Sequence, residues 1–119
     1  MFSALAADHI TVPRNVGPLE GATHRGVAGV PGDGPHMILW FEVADGCIQR
    51  AAYATYGCPA AVASGSITAT LLTGRTVKQA LLLTAEDIIR VLQGLPEGKE
   101  DCAQLAATAL RNAFREEKN

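Results

Sequence analysis

Two cysteines stand where the sequence predicts the first turn of a helix, and they are the residues best suited to chemistry. Cys58 lies between Gly57, which can take backbone conformations that other residues resist, and Pro59, which suits the first helical position. Cys102 falls near the predicted start of the last helix. Backbone N–H groups and the helix dipole favour negative charge at such positions, so both thiols are expected to ionise readily. A thiolate is both a nucleophile and a soft metal ligand.

Residues 31–36 form a predicted loop rich in glycine and proline, and they carry two further donor side chains. Asp33 and His36 lie in this loop, which leads into the strand expected beside the Cys58 turn. If the final helix packs on the same part of the sheet, the two cysteines and one of these side chains can meet. Two thiolates with a carboxylate or an imidazole would suit Zn²⁺, Fe²⁺ or an iron–sulfur cluster. Spacing alone equally permits a plain turn aspartate and a strand-edge histidine, since the sequence has no C-x-x-C motif.

The segment that leads to Cys58 is predicted to be one half of a β-hairpin. Residues 37–43 are apolar at nearly every position, which is typical of a strand covered on both faces. Asp45-Gly46 is a hairpin-turn signal, and the return strand runs over residues 47–56. Strict alternation places these residues of the return strand on one face: Ile48, Ala52, Ala54 and Tyr56. It places these on the other: Gln49, Tyr53 and Thr55. A third, weaker strand is expected within residues 20–29.

Helices are predicted before and after the hairpin. The first is capped by Ser3 and stopped by Pro13. The predicted helices are 3–10, 59 to about 73, a short one opened by Thr76, another opened by Thr84, and one from about Asp101, its expected N-cap, to Phe114. Strands that are segregated from helices predict an α+β fold, in which a small antiparallel sheet of two to three strands packs against C-terminal helices.

The composition predicts one globular domain over residues 1–119 and excludes some classes of partner. Hydrophobic residues make up 48% of the chain and charged residues 18%, enough to build a core. The net charge of −2 and the absence of a basic stripe argue against nucleic-acid and anionic-membrane binding. No apolar run is long enough to cross a bilayer. Three widely spaced cysteines and the lack of a basic leader favour a cytoplasmic protein over a disulfide-stabilised one.

Four stretches resemble the IscU/NifU-type iron–sulfur cluster assembly scaffolds, and they occur in that family's order along nearly the whole chain. These stretches are Asp8-His9 with Pro13-Arg14-Asn15-Val16-Gly17, Tyr56-Gly57-Cys58-Pro59-Ala60-Ala61-Val62-Ala63-Ser64-Gly65-Ser66, Leu72-Thr73-Gly74-Arg75-Thr76-Val77-Lys78-Gln79-Ala80, and Lys99-Glu100-Asp101-Cys102-Ala103. The resemblance implies a non-enzymatic scaffold on which a [2Fe–2S] cluster is built from iron and from sulfur supplied by a cysteine desulfurase. It also implies zinc in the cluster-free form, and further partners in a chaperone and in apo-acceptor proteins.

The resemblance also implies roles for individual residues. Cys58 matches the middle cysteine of the family's three, and Cys102 matches the last. Asp33 matches the aspartate and is expected to be a labile oxygen ligand whose weak hold helps cluster release. One of the two thiols is expected to accept persulfide sulfur.

The sequence departs from the family pattern at the first cysteine, because Pro31-Gly32-Asp33 stands where the family has a CGD motif. His36 or Asp101 could take the place of the missing thiolate ligand. Either would add a harder nitrogen or oxygen donor and so change which metal the site prefers. Cys47 is expected at the far end of its strand from Cys58. The favoured interpretation is a divergent scaffold. The alternatives are an adaptor or zinc-binding relative that docks a desulfurase without building clusters, and a thiol enzyme with Cys58 as nucleophile and His36 as base.

Overall fold

Three antiparallel strands form one sheet in the order β1-β2-β3 in the computed structural model, which describes residues 2–12, 14–30 and 32–115. The strands are β1 (His24–Gly29), β2 (His36–Ala44) and β3 (Cys47–Tyr56). The helices are α1 (Ala4–Thr11), α2 (Pro59–Leu72), α3 (Val77–Ala80), α4 (Ala85–Val91) and α5 (Glu100–Ala113). This arrangement confirms the predicted α+β fold, with the larger helices following the sheet in sequence.

The hairpin between β2 and β3 forms at the predicted turn. Asp45 and Gly46 both take positive φ angles, 55° and 75°, as the central residues of a type I′ turn require. Cys47 pairs with Ala44 beside this turn, whereas Tyr56 pairs with His36 at the other end of the ladder. Cys47 therefore lies at the opposite end of β3 from Cys58, as the sequence predicts.

A bulge in the β2–β3 ladder makes the predicted alternation of β3 wrong. The register shifts between Glu42, which pairs with Arg50, and Val43, which pairs with Ile48. The extra residue is Gln49, and it reverses the parity of the strand from that point on. The core face of β3 consequently carries Ile48, Ala51 and Tyr53. Ala52 is also buried, but its side chain lies on the other face with Gly17 and Trp40.

The central strand β2 is buried chiefly on one side. Met37, Leu39 and Phe41 have no exposed surface and belong to the core. On the opposite face the segment around Gly17 covers part of the sheet, since a Cβ added to Gly17 would come within 2.8 Å of the Trp40 ring. The expectation that both faces are covered therefore holds near Trp40, while alternate β2 residues stay half-exposed.

Two glycines allow the long helices to lie directly on the sheet. A Cβ at Gly26 of β1 would lie 2.0 Å from the Ala109 carbonyl oxygen of α5. A Cβ at Gly65 of α2 would lie 2.4 Å from the Tyr53 ring of β3. No side chain fits in either place, so the α5 backbone lies directly against β1, and the Tyr53 ring lies directly against the α2 backbone. Because both helices lie on this sheet and pack against each other, their N-terminal ends meet.

Most of the predicted helix starts are confirmed by their caps. Ser3 Oγ accepts a hydrogen bond from Ala6 N at 3.0 Å, and Thr76 and Thr84 each complete a capping box. Pro13, predicted to stop α1, lies outside the described residues. The last helix differs, because its N-cap is Lys99 and Asp101 lies within its first turn. The predicted N-cap role of Asp101 is therefore wrong by two positions.

Candidate functional site

Cys58 is the N-cap residue of α2. Its φ and ψ of −92° and 172° are extended, and Pro59 follows in the first turn, as predicted. Gly57 does not take a left-handed φ, and a Cβ there would make only an ordinary contact, 3.4 Å from the Ala61 Cβ. The turn before Cys58 is therefore not one that only glycine could form. The position of the thiol follows from the strand, the proline and the helix.

Cys102 meets Cys58 although the two lie 44 positions apart in the sequence. The two Sγ atoms are 3.4 Å apart, and both side chains are half-buried. Cys102 is the third residue of α5, so each thiol belongs to the first turn of one of the two long helices. Contact between two free thiols at adjoining helix N-termini is the main feature of the site.

The pKa of the Cys58 thiol lies below its ordinary value. Partial burial raises this pKa. The backbone amides of Ala61 and Ala60 lower it, and so do the adjacent Cys102 thiol and the positive charge of Lys99. The lowering effects together outweigh burial, which agrees with the prediction for a thiol at a helix N-terminus.

The prediction that Cys102 ionises readily is wrong. Burial and the neighbouring Cys58 raise the pKa of the Cys102 thiol to about 11, with a smaller contribution from the Asp101 carboxylate. Lys99 opposes this increase. Two thiols in contact cannot both ionise freely, because a thiolate on one disfavours a thiolate on the other. In the metal-free protein the pair therefore holds one reactive thiol and one thiol that keeps its proton.

Lys99 is a member of the site that the sequence analysis did not single out. It is the N-cap of α5, and its charge lowers the pKa of both thiols. The only signal in the sequence was its place at the head of the family-like stretch Lys99–Ala103. Lys99 gives the pair a nearby cation that favours negative charge on sulfur or on a bound group.

The loop that carries Asp33 and His36 passes beside the Cys58 turn. A Cβ on Gly57 would lie 3.9 Å from the Pro35 Cβ. Asp33 is exposed, and its backbone N–H donates to the Val30 carbonyl at 2.9 Å. His36 is half-buried and stacks on Tyr56, with the two ring centroids 6.1 Å apart. Both residues therefore lie at the end of the sheet that leads to Cys58.

The structure joins the two cysteines but not the other expected donors. Within residues 2–12, 14–30 and 32–115, no three His, Cys, Asp or Glu side chains form a group able to hold a metal ion. Asp33 and Asp101 are exposed, and His36 faces Tyr56. Pro31, which the resemblance predicts at the place of the family's first cysteine, lies outside the described residues. The described site thus supplies two soft ligands in contact, with harder donors nearby.

A buried polar junction fixes the N-terminal segment to α2. His9 is only 3% exposed, and its Nδ1 lies 2.7 Å from Ser66 Oγ, which also accepts from Arg14 N at 2.9 Å. Burial lowers the pKa of His9, the Arg14 charge lowers it further, and Asp8 partly offsets both. His9 is therefore neutral and structural here.

Comparisons with known proteins agree with this fold. The family model described as the NifU-like N terminal domain matches residues 1–118. "Iron-sulfur cluster assembly scaffold protein IscU 1" of Archaeoglobus fulgidus is 39% identical over 114 residues, which cover 96% of this chain and 74% of that protein. The protein named "Iron-sulfur cluster assembly scaffold protein IscU" in Azotobacter vinelandii is 35% identical over 122 residues, covering 99% of this chain and 94% of its own.

Solved structures show the same fold at lower identity. A candidate iron–sulfur cluster assembly scaffold protein for the SUF system of Fervidobacterium islandicum superposes with a TM-score of 0.76 at 19% identity, covering 95% of this chain and 96% of that one. An N-terminal NifU-like protein of Brucella abortus gives a TM-score of 0.59 at 17% identity, and the match covers 98% of this chain and 78% of that one.

None of the helices in the described ranges has the length and hydropathy to span a membrane. The match over residues 1–118 and the 39% identity along nearly the full length together establish that the chain belongs to the NifU-like N-terminal domain family, the IscU/NifU-type scaffolds.

Proposed function

We propose that this protein is a non-catalytic iron–sulfur cluster assembly scaffold whose cargo is held at Cys58 and Cys102. The observation that supports this most strongly is the 3.4 Å contact between the two Sγ atoms, formed across 44 residues of sequence. Thiolates are the usual ligands of [2Fe–2S] clusters, and cluster irons lie close enough together for neighbouring thiolates to bind them. Membership of the scaffold family and the names of its relatives support the same function.

Completing the ligand set requires one of the nearby oxygen or nitrogen donors. Asp33 is the first candidate, with His36 and Asp101 as alternatives, because all three lie near the thiol pair in sequence or in space. A carboxylate or imidazole binds a cluster less firmly than a thiolate, so such a mixed site favours release of its cargo. The same donors would hold Zn²⁺ when no cluster is present.

The proposed cycle needs three classes of partner. A cysteine desulfurase supplies sulfur to one of the two thiols, and an apo-acceptor protein receives the finished cluster, with a chaperone assisting transfer. Half-burial leaves part of each thiol open to such partners. We further propose that residues 1–119 act as one scaffold domain in the cytoplasm, where thiols stay reduced.

Anaerobic reconstitution tests the proposed function. Wild type, Cys58→Ala and the matched control Cys47→Ala are incubated with iron and sulfide, and bound iron and acid-labile sulfide are then measured. Wild type and Cys47→Ala are expected to hold iron and sulfide in a ratio of about 1:1, as a [2Fe–2S] cluster requires. Cys58→Ala is expected to hold neither. Equal loading of all three proteins would show that the thiol pair is not the site.

The adaptor function is the second candidate, because the described residues do not assemble a third metal ligand around the cysteines. In this case the protein would dock a desulfurase without building clusters. A Cys58→Ala, Cys102→Ala double variant would then bind the desulfurase as wild type does, and reconstituted wild type would contain zinc or no metal. Cluster formation by wild type that is lost in the double variant would exclude this candidate.

A further inference from the structure

We propose that the Cys58–Cys102 pair releases acquired sulfur as sulfide by closing into a disulfide. The proposal rests on the proposed function to the extent that one thiol must first accept a sulfane sulfur. It adds a sulfide-releasing reaction that the protein performs with its own two thiols. The second cysteine is thereby a reacting group as well as a ligand.

The distance between the two sulfurs supports this step. At 3.4 Å the Sγ atoms are already in contact, and bond formation requires an approach of about 1.4 Å to reach a disulfide length near 2.05 Å. The two sulfurs hydrogen-bond to each other, so no side chain separates them. Both cysteines are free in the structure, and the third, Cys47, is at the far end of β3. The chain therefore offers one pair of thiols, 58 and 102, that can react within a single molecule.

The reaction balances without an added reductant. When Cys102 carries a persulfide, the Cys58 thiolate attacks the Cys102 Sγ and forms the Sγ–Sγ bond. The bond between Sγ and the outer sulfur breaks, and its electron pair leaves with the outer sulfur as HS⁻. The sulfane sulfur is reduced by two electrons, and the two cysteine sulfurs are oxidised to a disulfide. A persulfide on Cys58 attacked by Cys102, once the Cys102 thiol has lost its proton, gives the same two products.

This step makes sulfide release and metal binding mutually exclusive at the pair. A disulfide offers no thiolate, so a site that has released sulfide cannot hold metal until a thiol reductant reopens it. Reopening consumes two equivalents of a small-molecule thiol and yields the corresponding disulfide. Each molecule therefore releases one sulfide for each reduction by external thiol.

The test uses glutathione persulfide as the sulfane donor, added anaerobically to chelator-treated protein. Wild type is compared with Cys58→Ser and Cys102→Ser, and Cys47→Ser is the matched control. Wild type and Cys47→Ser are expected to lose about 2 Da per chain and to release about one sulfide beyond the donor's background. Cys58→Ser and Cys102→Ser each keep one thiol of the pair, and each is expected to keep an added mass of about 32 Da without releasing sulfide. Far-UV circular dichroism checks that all variants are folded.

The outcomes separate this inference from the proposed function. If Cys58→Ser and Cys102→Ser both fail to gain the persulfide mass, sulfur acceptance at this pair is wrong, and the release step fails with it. If they gain it and wild type also keeps it as an open persulfide, sulfur acceptance stands and the release step alone is overturned. Glutathione disulfide, added in place of the persulfide, is expected to close the wild-type disulfide with no sulfide. Sulfide release equal in wild type and both variants would also overturn the proposal.

Discussion

The helices of this protein fall into two groups that begin in different ways. The helices α1, α3 and α4 start with a serine or threonine whose side chain accepts a hydrogen bond from a backbone N–H of the first turn. The helices α2 and α5 start at Cys58 and Lys99, and neither residue makes a side-chain capping bond. The helices that carry the thiols are thus the ones whose first amides are left without a side-chain cap.

The side-chain caps stabilise their helices, whereas the uncapped helix starts of α2 and α5 carry the thiols. A serine or threonine cap contributes roughly 1 kcal/mol, so its absence from α2 and α5 costs stability in the metal-free protein. The amides of Ala60 and Ala61 at the start of α2 instead lower the pKa of the Cys58 thiol. Packing of α2 and α5 on the sheet, rather than capping, holds these two helix starts in place.

The largest expected effect comes from breaking that packing. Gly26→Ala places a Cβ 2.0 Å from the Ala109 carbonyl oxygen, so α5 must shift away from β1. We expect the free energy of unfolding to fall by about 3 kcal/mol, the upper end of the usual cost of overpacking a core. Chemical denaturation measures this loss. Gly57→Ala is the control, since its Cβ makes only a 3.4 Å contact, and a loss as large as that of Gly26→Ala would contradict the role given to packing.

A smaller effect distinguishes the two kinds of helix start directly. Thr84→Ala removes the α4 capping box and is expected to lower the free energy of unfolding by about 1 kcal/mol.

Cys58→Ser gives α2 a side-chain acceptor and is expected to keep or raise the stability of the metal-free protein, by up to about 1 kcal/mol. The same variant is expected to lose one of the two sulfur ligands of the proposed metal site and to bind metal more weakly. A large destabilisation by Cys58→Ser would show that the thiol has a structural role.

The stability of the His9 junction is expected to depend on pH. Burial and Arg14 lower the pKa of folded His9 below 6.5, so the unfolded chain takes up a proton first as the pH falls. The contribution of His9 to stability is therefore complete above pH 6.5 and decreases as the pH falls below it. Denaturation of wild type and His9→Gln between pH 7 and pH 5 measures this. Parallel pH dependence of the two proteins would contradict the assignment.

The smallest expected effect is a difference in reaction rate between the two thiols. In the metal-free protein Cys58 is expected to alkylate before Cys102 at pH 8, because the Cys58 pKa is lowered and that of Cys102 is raised to about 11. Peptide mass spectrometry after brief iodoacetamide treatment measures the order. Lys99→Gln is expected to slow alkylation of Cys58, while Lys78→Gln, on a different helix, serves as the matched charge control. Faster labelling of Cys102 would contradict the pKa order.

Local signals in the sequence were sufficient for much of the fold. The Asp45-Gly46 turn and the helix starts at Thr76 and Thr84 depend on residues within four positions, and all three formed as predicted. The prediction of which β3 side chains face the core is wrong, because the bulge at Gln49 arises from pairing with β2. The sequence of β3 alone carries no sign of that pairing.

The candidate site was predicted less completely, because its properties depend on contacts between distant segments. Helix position alone suggested that Cys102 ionises readily, but contact with Cys58 reverses this. Lys99 was overlooked because its charge acts across the interface of two helices. The placement of Cys58 beside Cys102 followed from resemblance to a family, since spacing left it open.

X-ray absorption at the zinc K-edge of the zinc-loaded protein tests most directly whether the thiol pair is a metal site. The expected wild-type spectrum has about two sulfur neighbours near 2.3 Å, completed by nitrogen or oxygen near 2.0–2.1 Å. Cys102→Ser is expected to retain about one sulfur neighbour, and Cys47→Ser is expected to match wild type. Zinc bound without sulfur, or a sulfur count that Cys102→Ser leaves unchanged, would contradict a site built on Cys58 and Cys102.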